Sequence, residues 1–323
     1  MNLKEKLIHN LQQANVLSQK GLIEMFDSSI GRSTVLMPFG GKTQRSETQV
    51  SVQKIPVGNH FTNTALMMAY GYNPDISLWS PYHGTQYAVV EAITKIVAAG
   101  GRYNNIRFSF QEYFEKMTQN PFSWGKPTAS LLGALQMQHD FKLAAIGGKD
   151  SMSGTFQNIN VPPMLMAFGI TKVDANNVIS TDLKAAGNNI YFIGHCHNAD
   201  FTPNVEQLKK NYDFISQEIE NKSVVSAFAV GFGGVAEAIC KMAFGNEIGV
   251  FVEQRKRGII EEDLFNLSYG SVVVETSEVL EYEKAVFLGK TISEKVIKIN
   301  SEEVDLETLY KANTEKFAEI YPL

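Results

Sequence analysis

The segment AAIGGKDSMSGTF, residues 144–156, places glycines, a lysine, an aspartate and serines between two apolar stretches. Backbone N–H groups without bulky side chains, next to a cation and hydroxyls, are suited to contact phosphate or a phosphate-bound Mg²⁺. The same residue types also form ordinary turns. Taken alone, the segment leaves a phosphate-binding loop and a simple turn as alternatives.

Two well-known site motifs can be tested against the sequence, and neither fits. A P-loop needs Gly, four residues, and then Gly-Lys followed by Ser or Thr. Asp150 follows the Gly-Lys pair of residues 148–149, and Leu36 stands where the GGKT of residues 40–43 needs its first glycine. No Gly-x-Ser-x-Gly elbow accompanies a His and Asp set. The sequence therefore argues against a P-loop NTPase and against a serine hydrolase of that type.

The histidines are interpreted as structural residues. His83 and His139 stand alone, without a partner of known geometry nearby. In the HCH of residues 195–197, the two histidines share one face of a strand and the cysteine points away. Because no second cluster of ligands accompanies them, a zinc site is not expected.

Glu91 is a carboxylate within the apolar stretch AVVEAITKI, and Lys95 follows one helical turn later. One reading is an i,i+4 ion pair on a helix surface. The other is a Mg²⁺ ligand, since Mg²⁺ prefers one or two carboxylates together with phosphate oxygens. The local pattern leaves both readings open.

Composition narrows the function class. The chain has 323 residues, 44% of them hydrophobic, and a formal net charge of −5. Without a basic excess, nucleic acid is not expected as the main partner. No apolar run is long enough to span a membrane, and the N-terminal segment lacks the apolar core of a secretory signal. The two cysteines, Cys196 and Cys240, indicate no disulfide framework and favour a cytoplasmic location.

Strands interleave with helices along the whole chain, which predicts an α/β or α+β fold. A short amphipathic helix at the N-terminus would carry Leu3, Leu7 and Leu11 on one face. We expect a lead-in segment at 1–42, an N-terminal domain at 43–173 and a C-terminal domain at 174–323. Hydrophobic periodicity and Gly/Pro boundaries predict helices within 84–101, 128–141, 205–219 and 233–245, and strands within 48–57, 104–114, 143–148, 162–173, 177–196, 247–253 and 271–276.

Four blocks then point to one family. They are VVEAITKIVAAG at 89–100, GGKDSMS at 147–153, FGGVAEAICKMAFG at 232–245 and LFNLSYGSVVVE at 264–275. Together they resemble the second synthase half of the large form of phosphoribosylformylglycinamidine synthase. The segment at 18–38 resembles the join between the two synthase halves of that enzyme. The resemblance covers nearly the whole chain, and GGKDSMS is its most specific block.

The resemblance implies a fold and a reaction. Each synthase half is similar to aminoimidazole ribonucleotide synthetase, with an N-terminal α/β domain that pairs with its twin and a C-terminal α/β domain. In the family, ATP activates the formamide oxygen of formylglycinamide ribonucleotide, and ammonia from a glutaminase domain displaces phosphate to give the amidine. Mg²⁺ offsets the phosphate charge during such a transfer.

The chain lacks the glutaminase region and the histidine-bearing segment of the first synthase half, so no catalytic residue is assigned to it. We expect a fragment whose partners are the first half and the glutaminase domain, and which makes no amidine alone. A second copy could occupy the place of the twin. Two alternatives remain: a non-catalytic structural half, and a stand-alone homodimeric ATP-dependent synthetase of the same superfamily.

The resemblance also assigns site residues. It implies that Gly148 approaches nucleotide, that Ser151 contacts substrate, and that Lys149 or Asp150 belongs to the phosphate–metal cluster. In the auxiliary ADP site of the family, a lysine contacts phosphate and a glutamate binds Mg²⁺. Lys20 matches that lysine, and Glu91 matches that metal ligand. The residues implied to bind substrate or nucleotide are Gly147, Gly148, Lys149, Asp150, Ser151, Ser109, Gln111 and Lys20.

At the auxiliary site the sequence departs from the family. Lys95 stands where the family has a metal-binding Asn, and Ala229 stands where it has a metal-binding Asp. Gly231 replaces a serine, and no Asp matches the ligand expected near 50–57. Of the expected metal ligands only Glu91 remains, so we expect Mg²⁺ to be absent there and Lys95 to occupy its place.

Overall fold

The computed structural model describes residues 1–253 and 261–319. Within those ranges the chain forms short and long helices around two large sheets and two small hairpins. The helices are α1 Leu3–Leu11, α2 Lys20–Ile23, α3 Pro74–Trp79, α4 Pro81–Ala98, α5 Pro121–Phe141, α6 Val205–Glu220, α7 Gly234–Phe244 and α8 Leu306–Ala318. The strands are β1 Phe39–Gly40, β2 Ser46–Glu47, β3 Ser51–Lys54, β4 Thr64–Gly71, β5 Arg107–Tyr113, β6 Ala145–Lys149, β7 Thr155–Phe156, β8 Ile159–Asn160, β9 Met164–Asp174, β10 Asn189–Ile193, β11 Val224–Ala229, β12 Gly249–Val252, β13 Val272–Thr276, β14 Ala285–Ile292, β15 Val296–Ile299 and β16 Glu302–Asp305.

The first large sheet has the order β3-β4-β9-β5-β6, antiparallel except for the parallel pair β5–β6. Its strands alternate between buried and accessible residues, which is typical of a sheet covered on one face. Helices α4 and α5 cover the inner face. On the outer face Leu66, Met68 and Tyr70 of β4 are 44%, 43% and 50% exposed. This sheet therefore presents an uncovered apolar surface.

The second large sheet has the order β11-β13-β10-β14-β12-β15-β16 and is covered on both faces. Val272 and Val274 of β13 pack into the cluster that holds α6, whereas Val273 between them packs into the cluster that holds α1, α7 and α8. Leu3, Leu7 and Leu11 all point into the second cluster and are fully buried. The predicted amphipathic N-terminal helix is thus confirmed.

Helix α4 connects the two sheets. The helix begins at Pro81, after the N-cap residue Ser80. Its inner face packs on β4 and β9. Thr94 on the same helix lies 2.7 Å, hydroxyl to hydroxyl, from Tyr212 of α6. Gly71 at the end of β4 admits the helix closely, because a Cβ there would lie 2.1 Å from the Ala88 carbonyl oxygen.

Most predicted elements are present, with corrections to their limits. The helix predicted at 84–101 runs from Pro81 to Ala98, because Ser80 caps it. The helix predicted from residue 128 begins at Pro121, because Asn120 caps it and the proline occupies its first turn. The strand predicted at 48–57 is confined to Ser51–Lys54. The mixed α/β fold class is confirmed, while the domain limits at 43–173 and 174–323 stay a prediction. Among the described residues, no helix has both the length and the apolar character needed to cross a membrane.

The close contact at Gly71 gives a matched pair of substitutions. We expect Gly71→Ala to lower the free energy of unfolding by about 1–3 kcal/mol, because the new methyl group must displace the α4 backbone. Gly125 lies inside α5 with nothing within 4 Å of a Cβ. Gly125→Ala is therefore expected to raise the free energy of unfolding by about 0.5–1 kcal/mol through helix propensity. Urea denaturation of both variants measures the two effects, and a Gly71→Ala variant as stable as the wild type would contradict the close contact assigned at Gly71.

Candidate functional site

The glycine-lysine-aspartate-serine segment lies at the edge of the first sheet. Residues 147–149 belong to β6, which pairs in parallel with β5, so that Gly147 lies opposite Ser109 and Lys149 opposite Gln111. The close pairing of β5 and β6 requires a glycine at position 148, because a Cβ there would lie 2.6 Å from the Phe110 carbonyl oxygen. Register therefore brings the two predicted β5 residues beside the predicted loop.

These residues face solvent. Residues 147–150 are exposed, Ser151 is half-buried, and its hydroxyl oxygen lies 3.0 Å from that of Ser153. Ser109 and Gln111 alternate with the buried Phe108 and Phe110, so they belong to the uncovered face of the sheet. A lysine, an aspartate, a serine and free backbone thus stand together on an open edge next to an apolar surface.

Glu112 is a residue that the sequence analysis missed. It is 7% exposed, and among the described residues no hydrogen bond or ion pair reaches its carboxyl group. Burial, with a smaller contribution from the nearby Asp150 charge, raises the pKa of Glu112 above its usual value. Only its alternation with Phe108 and Phe110 could have marked it as an inward-facing carboxylate.

A second group of predicted residues lies in a cleft between the two sheets. The cavity has a volume of about 510 Å³. Helix α4 contributes Glu91 and Lys95 to one wall, and the end of β11 contributes Ala229 to the other. The main chain of Ala229 is held by Gln49, whose amide accepts from the Ala229 N–H at 2.8 Å and donates to its carbonyl at 3.0 Å.

Glu91 and Lys95 form a largely buried ion pair, in which each side chain is 13% exposed. The Lys95 Nζ lies 2.7 Å from Glu91 Oε1 and donates to the Tyr70 carbonyl at 3.0 Å. The other Glu91 oxygen accepts from the Tyr72 N–H at 2.9 Å. Burial lowers the pKa of Lys95, but the Glu91 carboxylate, together with Tyr70 and Glu237, leaves the pKa above its usual value. Lys95 is therefore a fixed cation, and both Glu91 oxygens are engaged.

A second ammonium lies on the same cleft. Lys241 of α7 is 2.7 Å from Glu47 Oε2 and 2.8 Å from Glu237 Oε1. Burial lowers the pKa of Lys241, and the two carboxylates raise it by more, so this lysine also stays charged. The second Glu237 oxygen accepts from the Gly233 N–H at 2.9 Å.

The residues present do not suit a divalent cation. Mg²⁺ needs hard oxygens at about 2.0–2.1 Å in near-octahedral geometry, whereas the Glu91 oxygens already accept from Lys95 and from the Tyr72 N–H. Ala229 has no side-chain donor. In the part of the chain that the structure describes, no group of three His, Cys, Asp or Glu residues could hold a metal ion.

Lys20 lies near this cleft but not in its lining. Its Nζ is 3.6 Å from Glu24 and 5.7 Å from the ring centre of Phe39, which does line the cavity. The loop and the cleft are separate, because β6 is three strands away from β4, about 14 Å at the usual spacing. The structure thus gathers the predicted residues into two sites.

The HCH segment is structural. Nδ1 of His195 lies 2.9 Å from the Tyr269 carbonyl, and Nε2 accepts from the Asn204 N–H at 3.0 Å. Burial lowers the pKa of His195 to about 4, so the ring is neutral and fastens the N-terminal end of α6. Both cysteines are free thiols, with Cys196 exposed and Cys240 buried.

No protein-family model matches the chain. Among curated proteins, it is 25% identical over 350 residues to the phosphoribosylformylglycinamidine synthase subunit PurL of Thermococcus sibiricus, covering 97% of this chain and 46% of that protein. The chain thus spans about half the length of the curated relatives it matches first. The resemblance inferred from the four sequence blocks is confirmed, and the homologues carry the name PurL.

Solved structures share the fold. T. maritima PurL complexed with ATP superposes with a TM-score of 0.72 at 14% identity, over 97% of this chain and 53% of that one. Other structures of that protein were solved with ADP and with FGAR. The Aquifex aeolicus ThiL complexed with AMPPCP and TMP superposes with a TM-score of 0.61 at 11% identity, over 90% and 96% of the two chains. The aminoimidazole ribonucleotide synthetase-like fold is confirmed.

The buried Glu112 predicts a pH dependence of stability. The pKa of Glu112 is higher in the folded state than in the unfolded state, so the folded state holds this proton more tightly. The stabilisation that this proton provides is fully present below the unfolded pKa and is lost as the pH rises through the folded pKa. Glu112→Gln is therefore expected to raise the free energy of unfolding at pH 7 by on the order of 1 kcal/mol, with no gain at pH 4. Glu303→Gln, at a largely exposed side chain, is the control. Equal effects of Glu112→Gln at both pH values would show that its carboxyl group titrates normally.

Proposed function

We propose that this chain is the second synthase half of an ATP-dependent ligase that converts formylglycinamide ribonucleotide to its amidine in purine biosynthesis. The first synthase half and the glutaminase domain would be its partners. One observation carries the proposal: the loop at 147–151 stands on an exposed edge, directly beside the uncovered apolar face of the first sheet. A loop of this chemistry becomes a site only when a partner covers that face.

Within such an assembly each loop residue has a role that its chemistry supports. The Lys149 ammonium would balance phosphate charge, and the backbone at Gly147 and Gly148 would admit the nucleotide. Asp150 would reach the metal that accompanies ATP, and the Ser151 hydroxyl would bind substrate. Ser109 and Gln111 would line the same edge from β5. The cofactors would be ATP and Mg²⁺ at the completed site, in the cytoplasm.

The partner surface is apolar and flat, as a sheet-on-sheet contact requires. The strand register places Met68 beside the half-buried Ile170 of β9, Tyr70 beside the half-buried Phe168, and Leu66 beside the exposed Lys172. The first synthase half would place an equivalent sheet against them, and a second copy of this chain would fit by the same symmetry.

Two other functions have specific support. The match to ThiL covers 96% of the ThiL chain, so a chain of this length and fold occurs outside a protein with two synthase halves. This favours a stand-alone homodimeric ATP-dependent enzyme. The ion pairs that fill the cleft favour a structural half that binds no nucleotide of its own. Neither explains the exposed loop as directly as a missing partner does.

Assays with formylglycinamide ribonucleotide, ATP, Mg²⁺ and ammonia test the proposal. We expect no amidine, detected by mass spectrometry, from this chain alone, and amidine formation once a first synthase half is co-expressed with it. In that mixture, Lys149→Met is expected to reduce kcat/KM at least ~100-fold through loss of phosphate stabilisation. The surface change Lys4→Met is the control. Turnover by the chain alone would favour the stand-alone enzyme, and an unaffected Lys149→Met complex would exclude the loop.

The apolar face is tested by sedimentation. At high micromolar concentration we expect the isolated chain to form two-fold dimers through the uncovered sheet face. Met68→Glu is expected to return it to monomer, since it buries a charge at the centre of the contact. Leu135→Glu, at an accessible leucine of α5 that is 61% exposed, is the control. A strict monomer, or equal effects of both changes, would refute pairing through this face.

A further inference from the structure

The Lys95 ammonium occupies a site built like a cation site. A carboxylate oxygen of Glu91 and the carbonyl oxygen of Tyr70 face it at 2.7 and 3.0 Å. These are the oxygen types that hard cations take in proteins. The Tyr70 ring covers the same nitrogen, with its centre 4.6 Å away, and contributes a favourable cation–π contact.

The second ammonium repeats the arrangement across the cleft. Lys241 holds Glu47 and Glu237 together, and its side chain is 4% exposed. The cleft thus contains three carboxylates and two ammonium groups. One carboxylate oxygen, Glu47 Oε1, is buried without a hydrogen-bond partner. The balance is one negative charge, and both lysines are already bound.

We propose that the ammonium groups of Lys95 and Lys241 are the resident cations of this cleft, which therefore binds neither a divalent metal nor a metal-bound nucleoside diphosphate. A diphosphate would bring further negative charge to a cleft whose cations are engaged, and breaking either pair would leave a buried carboxylate uncompensated. A divalent ion would have to displace an ammonium that protein oxygens already hold, Glu91 and Tyr70 at Lys95 and two carboxylates at Lys241. The cleft is stable without metal.

The assignment does not depend on the proposed reaction, because metal binding alone tests it. Mn²⁺, followed by electron paramagnetic resonance, is the probe. We expect the wild-type chain to leave millimolar Mn²⁺ free, and EDTA to leave its thermal midpoint unchanged. Saturable Mn²⁺ binding to the wild type that disappears in Glu91→Gln would overturn the proposal.

A variant designed to gain Mn²⁺ binding provides the second test. The double variant Lys95→Asn, Ala229→Asp removes the ammonium and sets a carboxylate on the facing wall. We expect it to bind Mn²⁺ at least ~10-fold more tightly than the wild type. Lys209→Asn, which breaks a surface pair with Glu206, is expected to bind none. A double variant that is folded by circular dichroism and still binds no Mn²⁺ would reduce Lys95 to an ordinary ion pair.

Thermal shifts with Mg²⁺-ADP distinguish nucleotide binding in this cleft from nucleotide binding at the loop. Mg²⁺-ADP is expected to cause no thermal shift that depends on Glu91. A shift lost in Lys149→Met and kept in Glu91→Gln belongs to the loop and leaves the proposal standing. A shift lost in Glu91→Gln and kept in Lys149→Met would overturn it while leaving the role proposed for the loop intact.

Discussion

The burial of α4 between the two sheets is the constraint on which the rest of the molecule depends. Twelve of its eighteen residues are buried, and its two sides serve different neighbours: β4 and β9 on one, α6 and β11 on the other. A helix packed on both sides has no freedom to rotate or slide, because interiors are close-packed. Glu91 and Lys95 are therefore fixed relative to Tyr70 of the first sheet and Ala229 of the second, and the shape of the cleft follows.

The same packing explains why charge in the cleft is paired internally. A carboxylate that is largely removed from water between two sheets is stabilised by a partner within the protein. Lys95, one turn along the helix, pairs with Glu91, and Lys241 pairs with both Glu47 and Glu237. Each ammonium is in turn held charged by its carboxylates. The result is an interface between the two sheets in which both ammonium groups are paired within the protein and Glu47 Oε1 is left without a hydrogen-bond partner.

Sequence patterns predicted the features that depend on near neighbours. Helix α4, the buried face of Leu3, Leu7 and Leu11, and the i,i+4 relation of Glu91 to Lys95 all follow from helical periodicity. What depended on strand register could not be derived: Ser109 meets Gly147 only because β5 and β6 pair in parallel, and Lys241 meets Glu47 across 194 positions of chain. The inward direction of Glu112 likewise depends on which face of the sheet the helices cover.

The two sites differ in what they still require. In the cleft both ammonium groups and all three carboxylates are already paired, and only the Glu47 Oε1 atom lacks a hydrogen-bond partner. A ligand would therefore have to displace one of these ion pairs before it could bind. At the loop the reverse holds, since Lys149 and Asp150 are exposed and the face beside them is apolar and uncovered. Burying that face would stabilise an assembly and would at the same time remove water from around the loop, which strengthens every electrostatic contact made there. Under the proposed function, binding of a partner would therefore complete an active site at this edge, away from the cleft.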